Sequence, residues 1–508
     1  MVNITLFSGG ARRTLSVPAG TTLLAALQQA DAAFPAPCGG NHTCGKCFVR
    51  ATGELSPVSE REAELLSGRG PEIRLACFAL AQGDCTVWAN TAPQQSTLTT
   101  FGGGNAQGDA LFEPGKYGFA VDIGTTTIAA YLYGHESSQP LAVLGEYNRQ
   151  QQYGADVMAR ISYANEHGVE PLHKTVTEQL SSLFSRLCSQ AQVDPGDVTD
   201  TVLTGNTVML HLLAGLEVRS LAMYPFTPLS LFGSVYPLDI PDFSHLRCYL
   251  PRCISAYVGA DITCGILAAS LPDLPGNVLF ADIGTNGEMA LKTGNRLLCC
   301  STAAGPAFEG AGISCGCGAV PGAINRVWSE GGKIQFETLE NAPAVGICGS
   351  GVIDAMAAFL QMGPINPKGK ISKALGGLLP IPGTCVSLSQ MDVRQLQLAK
   401  GAIRAGMDCM MEAAGLSYEA LDQVVLCGGF GSYIRPRSAQ DLGMLPPDSA
   451  GKTKAIGNAA GSGAAMLLQN REAAKALDAI AAQAQCLELS VEPAFAKQFV
   501  SCMNFPQI

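Results

Sequence analysis

Hydrophobic and polar positions alternate through Val2-Asn3-Ile4-Thr5-Leu6-Phe7, the period-two pattern of a half-buried strand. Ser8-Gly9-Gly10 reads as a turn and residues 14–17 as the returning strand. Residues 21–30 switch to helical spacing, with Thr21 as the predicted cap. Residues 48–51 predict a strand, 59–66 a short helix, and 73–76 and 85–88 the strands that close the unit. Residues 1–90 are therefore expected to form one compact, strand-rich α+β domain. Residues 91–115 break the pattern. Pro93-Gln94-Gln95-Ser96, Phe101-Gly102-Gly103-Gly104-Asn105 and Pro114-Gly115 have the composition of a linker. Over 116–508 apolar strands and helical periods mix, as in an α/β domain. Two strands, 118–121 and 278–281, each run into the same turn sequence, so two related halves of one bilobed domain are expected. Residues 394–416 carry helical periodicity that includes Met407, Met410 and Met411, and read as a packed helix.

Composition narrows the function classes. The chain of 508 residues is too long for one core. Apolar residues at 47% against 15% charged describe a globular protein with large interiors. A net charge of −10, with no cluster of Lys and Arg to offset it, argues against a nucleic-acid partner. No basic segment followed by an apolar run suggests a signal peptide, and no run of about 18 apolar residues suggests a membrane span. A cytoplasmic protein with no membrane partner is expected. Nineteen cysteines then point to metal ligands or buried thiols rather than a disulfide frame.

Cys38, Cys44, Cys47 and Cys77 form the sharpest motif: Cys-x5-Cys-x2-Cys in one glycine-containing loop and a fourth cysteine on a distant strand. Four thiolates hold the two irons of a [2Fe–2S] cluster, and this spacing matches the ferredoxin plan, in the variant of adrenodoxin-like ferredoxins. The alternative is structural zinc, which takes two short-spaced cysteine pairs; here the fourth ligand has no close partner. Cys85 is expected to be buried, and His42 reads as a loop residue.

The repeated turns are Asp122-Ile123-Gly124-Thr125-Thr126-Thr127 and Asp282-Ile283-Gly284-Thr285-Asn286-Gly287-Glu288. A glycine after a strand permits a tight turn, and the amides and hydroxyls behind it can face phosphate oxygens. Asp122 and Asp282 at strand ends can hold hydrated Mg²⁺; with Glu288 they are the candidate catalytic carboxylates. Gly124, Thr125, Thr126, Thr127, Gly284, Thr285 and Asn286 are the candidate phosphate ligands. A third element, residues 424–432, runs a buried strand into Gly428, Gly429 and Gly431, where a nucleoside can lie against bare backbone. Gly457-Asn458-Ala459-Ala460-Gly461 is read as the opening of the last helix. Thr204-Gly205-Asn206-Thr207 and Gly349-Ser350-Gly351 are further polar turns. Gly451-Lys452-Thr453 lacks the upstream glycine of a P-loop.

This combination resembles the actin, sugar-kinase and heat-shock ATPase superfamily. The resemblance implies a bilobed, duplicated α/β domain over 116–508 that binds ATP and Mg²⁺ between its lobes, preceded by a β-grasp ferredoxin. More narrowly, the chain resembles the reductive activators of corrinoid enzymes. That likeness rests on Cys38-Gly39-Gly40, Cys44-Gly45-Lys46-Cys47, the two phosphate turns, residues 204–210, Gly305-Pro306-Ala307-Phe308-Glu309-Gly310-Ala311-Gly312-Ile313, Pro321-Gly322-Ala323-Ile324 and residues 426–431. It implies ATP-dependent, one-electron reduction of an inactive Co(II) corrinoid to Co(I). The corrinoid would sit on a partner protein of a methyltransferase system, since no Asp-x-His-x-x-Gly motif occurs here. Electrons would come from an external low-potential donor, and a homodimer is compatible with the sequence. Larger family members carry an extra domain where this chain has only 91–115.

Two other functions fit part of the pattern: activation of a different low-potential metalloenzyme, and a redox-sensing small-molecule kinase. Glu309 is a second acid able to position water or metal. Cys299, Cys300, Cys315, Cys317 and Cys348 supply no four-cysteine set and are expected to be small core residues.

Overall fold

The computed structural model describes residues 1–8, 11–30, 42, 47–66, 72–89, 110–135, 137–310, 312–428 and 431–507. The Ser8-Gly9-Gly10 turn and the predicted linker as far as residue 109 lie largely outside them. In the first domain the strands run in the order Ala11–Val17, Val2–Ser8, Leu80–Ala89, Phe48–Leu55, Ile73–Leu75, with Val2–Ser8 and Leu80–Ala89 parallel. Helix Leu23–Gln29 closes one face over Ile4, Leu6 and Val87, all buried. Its cap is Thr22, whose hydroxyl accepts from the Ala25 amide, not the predicted Thr21, which lies in a short strand and donates to the Pro18 carbonyl. Adjacent threonines offer the same cap chemistry; pairing of Thr21 and Thr22 with the Leu80–Ala89 strand fixes which one ends the strand.

A buried ion pair ties this domain together. Arg74 donates through Nε and Nη2 to the two oxygens of Glu62, each at 2.9 Å, and the Leu75 amide donates to Glu62 Oε1 at 2.9 Å. Arg74 Nη1 adds the Ser56 carbonyl at 2.8 Å. The paired fork satisfies both charges away from water. It also fastens helix Glu60–Leu66 to strand Ile73–Leu75, which leads into Cys77.

Among residues 117–507 the two six-stranded sheets share one plan. In the first, strand Tyr117–Ile123 pairs antiparallel with Thr127–Gly134, which pairs with Ala142–Tyr147; on its other side lie Val198–Gly205 and then Arg247–Leu250, both parallel. In the second, Val278–Ile283 takes the central place, with Gly287–Thr293 and Arg296–Thr302 on one side and Gln423–Cys427 and Thr453–Ala455 on the other. The identical order and direction of five strands in each sheet is the structural form of the duplication read from the two turns.

Each sheet ends in a helix, Ala260–Ala268 and Ala459–Gln469, and these two cross between the lobes. Small residues permit the approach: a Cβ on Gly463 would lie 2.1 Å from the Cys264 carbonyl oxygen. Ala459–Gln469 is not the last helix; Glu472–Gln483 and Pro493–Cys502 follow it. Residues 110–115, read from composition as linker, begin this domain instead: Ala110 and Phe112 are buried, the Leu111 amide donates to the Leu468 carbonyl, and Arg471 Nε donates to the Ala110 carbonyl. Helix Gln390–Ala414 opens on a Ser389–Asp392 capping box and buries Met407, Met410 and Met411.

Breaking the Arg74–Glu62 pair strands a buried carboxylate. Arg74→Met is expected to destabilise the first domain by about 3 kcal/mol, measured as loss of iron–sulfur absorbance at lower urea than in the unaltered protein.

Candidate functional site

Of the four predicted cluster ligands, Cys47 and Cys77 are described and Cys38 and Cys44 lie outside the described residues. Cys47 and Cys77 are both buried, with their Sγ atoms 3.2 Å apart. A strand start and a loop after Ile73–Leu75 thus bring together thiols thirty positions apart in sequence, as two ligands of one iron would require. His42 is more than a loop residue: its ring stacks on Phe78 at 4.2 Å, and its Nε2 lies 3.0 Å from the Cys77 carbonyl oxygen. Cys85 is buried, and burial pushes its thiol up.

The two phosphate turns face one another across the lobes. Thr126 Oγ1 and Thr285 Oγ1 are 2.9 Å apart, and Thr285 Oγ1 donates to Glu309 Oε1 at 2.8 Å. Glu309 also accepts from Thr126, so one carboxylate ties both turns, and burial holds its proton more tightly than usual. On the first turn, the Gly124 amide donates to the Thr127 carbonyl and Asn206 Nδ2 donates to Thr125 Oγ1. On the second, the Gly284 amide donates to the Asn286 carbonyl. Gly428 has φ +97°, and a Cβ there would lie 2.4 Å from Asp282 Oδ1. The glycine strand end is thus pressed against the second phosphate turn, which only glycine allows. Gly429 lies outside the described residues, and Gly431 starts a short helical turn.

Beneath the turns lies a group of acids. Asp122, Asp282 and Asp261 retain some accessible surface but sit deep among protein atoms, and Glu288 is buried. Burial pushes Asp122 up to about 7, with repulsion from Asp282 adding to it and a 2.9 Å hydrogen bond from Asn458 Nδ2 opposing it. Burial pushes Asp282 up to about 6. Asp261 is raised by burial and then by Asp282 and Asp122, and Glu288 by burial and then by Asp261 and Asp282. Asp261 was not singled out in the sequence. It occupies the first turn of helix Ala260–Ala268 after Gly259, the counterpart of the Gly457-Asn458 turn in the other lobe.

Among the described residues no set of three His, Cys, Asp or Glu side chains converges to ligate a bare ion. Asp122, Asp261, Asp282 and Glu288 offer carboxylate oxygens, the donor type that a divalent cation retaining its waters takes. Cys299, Cys300 and Cys348 are buried, and burial raises the Cys299, Cys300 and Cys317 thiols. No helix among the described residues is long and apolar enough to cross a membrane.

Fold and site define an actin- and sugar-kinase-type (ASKHA) domain joined to a [2Fe–2S] ferredoxin-like domain. Residues 6–82 match the 2Fe-2S iron-sulfur cluster binding domain, 117–273 the RACo middle region, and 276–508 the C-terminal domain of RACo, the ASKHA domain. The chain belongs to the family of reductive activators of corrinoid enzymes. It is 34% identical over 417 residues to the corrinoid activation enzyme RamQ of Eubacterium limosum, covering 76% of this chain and 69% of that one. It is 30% identical over 370 residues to the [Co(II) methylated amine-specific corrinoid protein] reductase of Methanosarcina barkeri, covering 65% and 66%. These matches span about two thirds of the curated relatives' length. A solved reductive activator for a corrinoid, iron-sulfur protein superposes with a TM-score of 0.73 at 28% identity, over 100% of this chain and 98% of that one.

The native Asp122 keeps its proton up to about pH 7, whereas an unfolded chain releases it near about pH 4. Native stability therefore falls as pH rises between those values. Asp122→Asn is expected to raise thermal stability of the ligand-free protein by ~1–2 kcal/mol at pH 8 and by less at pH 5. Mg²⁺ alone is expected to stabilise the unaltered protein more than the variant. Calorimetric scans at both pH values check both outcomes.

Proposed function

We propose that this protein restores corrinoid methyltransferase systems by passing one electron to an inactive Co(II) corrinoid on a partner protein, giving Co(I), in a step driven by ATP. The observation that carries the nucleotide half is the Thr126–Thr285 contact between duplicated Asp-x-Gly-Thr turns, set above buried acids. The electron half rests on the buried Cys47–Cys77 pair in a domain of the matched iron–sulfur type. Relatives named for corrinoid activation and corrinoid-protein reduction support the substrate.

When bound at Cys38, Cys44, Cys47 and Cys77, a [2Fe–2S] group supplies electrons one at a time. The four cysteines would hold the group, and an external low-potential donor would load it. In the cleft, Asp122, Asp282, Asp261 and Glu288 hold hydrated Mg²⁺. Thr125, Thr126, Thr127, Gly284, Thr285 and Asn286 hold the phosphates, and Gly428 and its following glycines take the nucleoside. Polyphosphate between the turns must part Thr126 from Thr285, so binding and hydrolysis shift how the lobes sit. The crossing helices at Gly463 carry that shift through the domain. A partner that binds the two lobe states unequally is thereby driven between its own states.

Co(I) formation is expected to require ATP when the protein, a reductant and the corrinoid protein are mixed and the cobalt spectrum is followed. Equal Co(I) yields without ATP would sink the coupling. Cys47→Ser is expected to abolish cobalt reduction while leaving ATP hydrolysis within about twofold, because the two sites act on different chemistry.

A further inference from the structure

Arg160, in the first turn of helix Val157–His167, has no accessible surface. Its guanidinium donates to the Gly154 carbonyl at 3.0 Å, to Gln150 Oε1 at 3.3 Å, to Met209 Sδ at 3.0 Å and to the Thr125 carbonyl. All four acceptors are neutral. Among the described residues no Asp or Glu forms an ion pair with it; the one anion that acts on it from a distance is Asp156, the cap of its own helix. A buried charge without a counter-ion is costly, and this one lies directly behind the first phosphate turn.

The contact with Thr125 also has a geometric consequence. In a planar trans peptide the C=O of one residue and the N–H of the next point in opposite directions. With the Thr125 carbonyl drawn inward to Arg160, the Thr126 amide must face outward, away from the guanidinium. The neighbouring carbonyls are held back as well: Gly124 accepts from Asn148 Nδ2 at 2.9 Å, and Thr126 accepts from the Asn148 amide at 2.8 Å and Gln151 Nε2 at 2.9 Å. Three successive carbonyls are thus tied to one segment, 148–160. That arrangement turns their partner amides outward, toward the side on which Thr126 Oγ1 meets the second lobe, as in a backbone nest for an anion.

We propose that Arg160 is a positioning residue for the phosphate chain: it locks the 125–126 peptide with its amide toward the cleft, and its charge has the bound polyphosphate as its counter-ion. This inference rests on the nucleotide reading of the cleft and deepens it. A purely structural arginine would hold residues 150–154 in place and affect all ligands alike. A phosphate-positioning one discriminates by phosphate charge.

The test compares Mg²⁺–ATP with adenosine, titrated calorimetrically into the full-length protein and into Arg160→Met. The cluster spectrum and a cooperative thermal transition report folding. ATP affinity is expected to fall about 10- to 100-fold in Arg160→Met, the scale of losing a charge-assisted interaction, with adenosine affinity unchanged. Unchanged ATP affinity, or equal losses for ATP and adenosine, would overturn the role given to Arg160 and leave the nucleotide site standing. An unaltered protein that binds no ATP would overturn both. Should Arg160→Met fail to fold, Arg160→Lys decides: the charge remains but the fork is lost, so ATP is expected to weaken about 3- to 10-fold with adenosine unaffected, and no difference from the unaltered protein overturns the proposal.

Discussion

Repulsion among Asp122, Asp261, Asp282 and Glu288 is the constraint on which the larger domain turns. Duplication of one sheet plan places the ends of two equivalent strands opposite each other, and each strand end carries an aspartate. Bringing the lobes together therefore brings like charges together in a place with little water. Protonation relieves this at low pH, and Asn458 and Cys427 relieve it in part by donating to Asp122 and Asp282. A hydrated divalent cation relieves it more completely. The hydroxyl contact between Thr126 and Thr285 and the shared acceptor Glu309 hold the lobes against this repulsion. A cleft balanced in this way has its closure set by what occupies it, which is what a nucleotide-driven device needs.

The first domain solves a different problem. Its proposed cluster ligands Cys47 and Cys77 are thirty residues apart, so their approach depends on the sheet rather than on local sequence. The Arg74–Glu62 fork does that work at the strand leading into Cys77, and its burial leaves neither charge unsatisfied. The stacked His42 and Phe78 rings then cover the Cys77 backbone. Rigid ligand placement here and a deformable cleft there are opposite demands, met by separate units of the chain.

The parts legible in the sequence are those written in a few consecutive residues. Cys-x5-Cys-x2-Cys, the two Asp-Ile-Gly-Thr turns and the Gly428 strand end are local, because a tight turn beside a ligand restricts residue type at each position. Asp261 and Arg160 were not legible. An aspartate at a helix start reads as an ordinary cap, and an arginine on a helix with charged neighbours reads as a surface residue. Only the packing of Val157–His167 beneath the first turn shows that Arg160 has lost its water. The same limit explains smaller differences. Thr21 and Thr22 are chemically alike, and strand pairing rather than propensity chose between them. Residues 110–115 look like linker, but Phe112 and Arg471 bind them to the domain through contacts 361 positions apart.

The acids and the buried guanidinium also bear on one another. The floor of the cleft is lined by acids that on the proposed reading would take a cation; the wall behind the first turn carries the buried Arg160 guanidinium, which would take an anion. Neither ligand alone satisfies both. A bare polyphosphate would meet Asp122 and Asp282 as like charges, and Mg²⁺ alone would leave Arg160 uncompensated. A metal-bound polyphosphate supplies the two charges in fixed relation, so its binding is worth more than either part. If the cleft hydrolyses ATP as proposed, hydrolysis would remove part of the anion while the metal and the acids remained, and the balance set by the intact polyphosphate would change. On that proposal the arrangement of the lobes would be coupled to the chemical step by electrostatics already present in the folded chain.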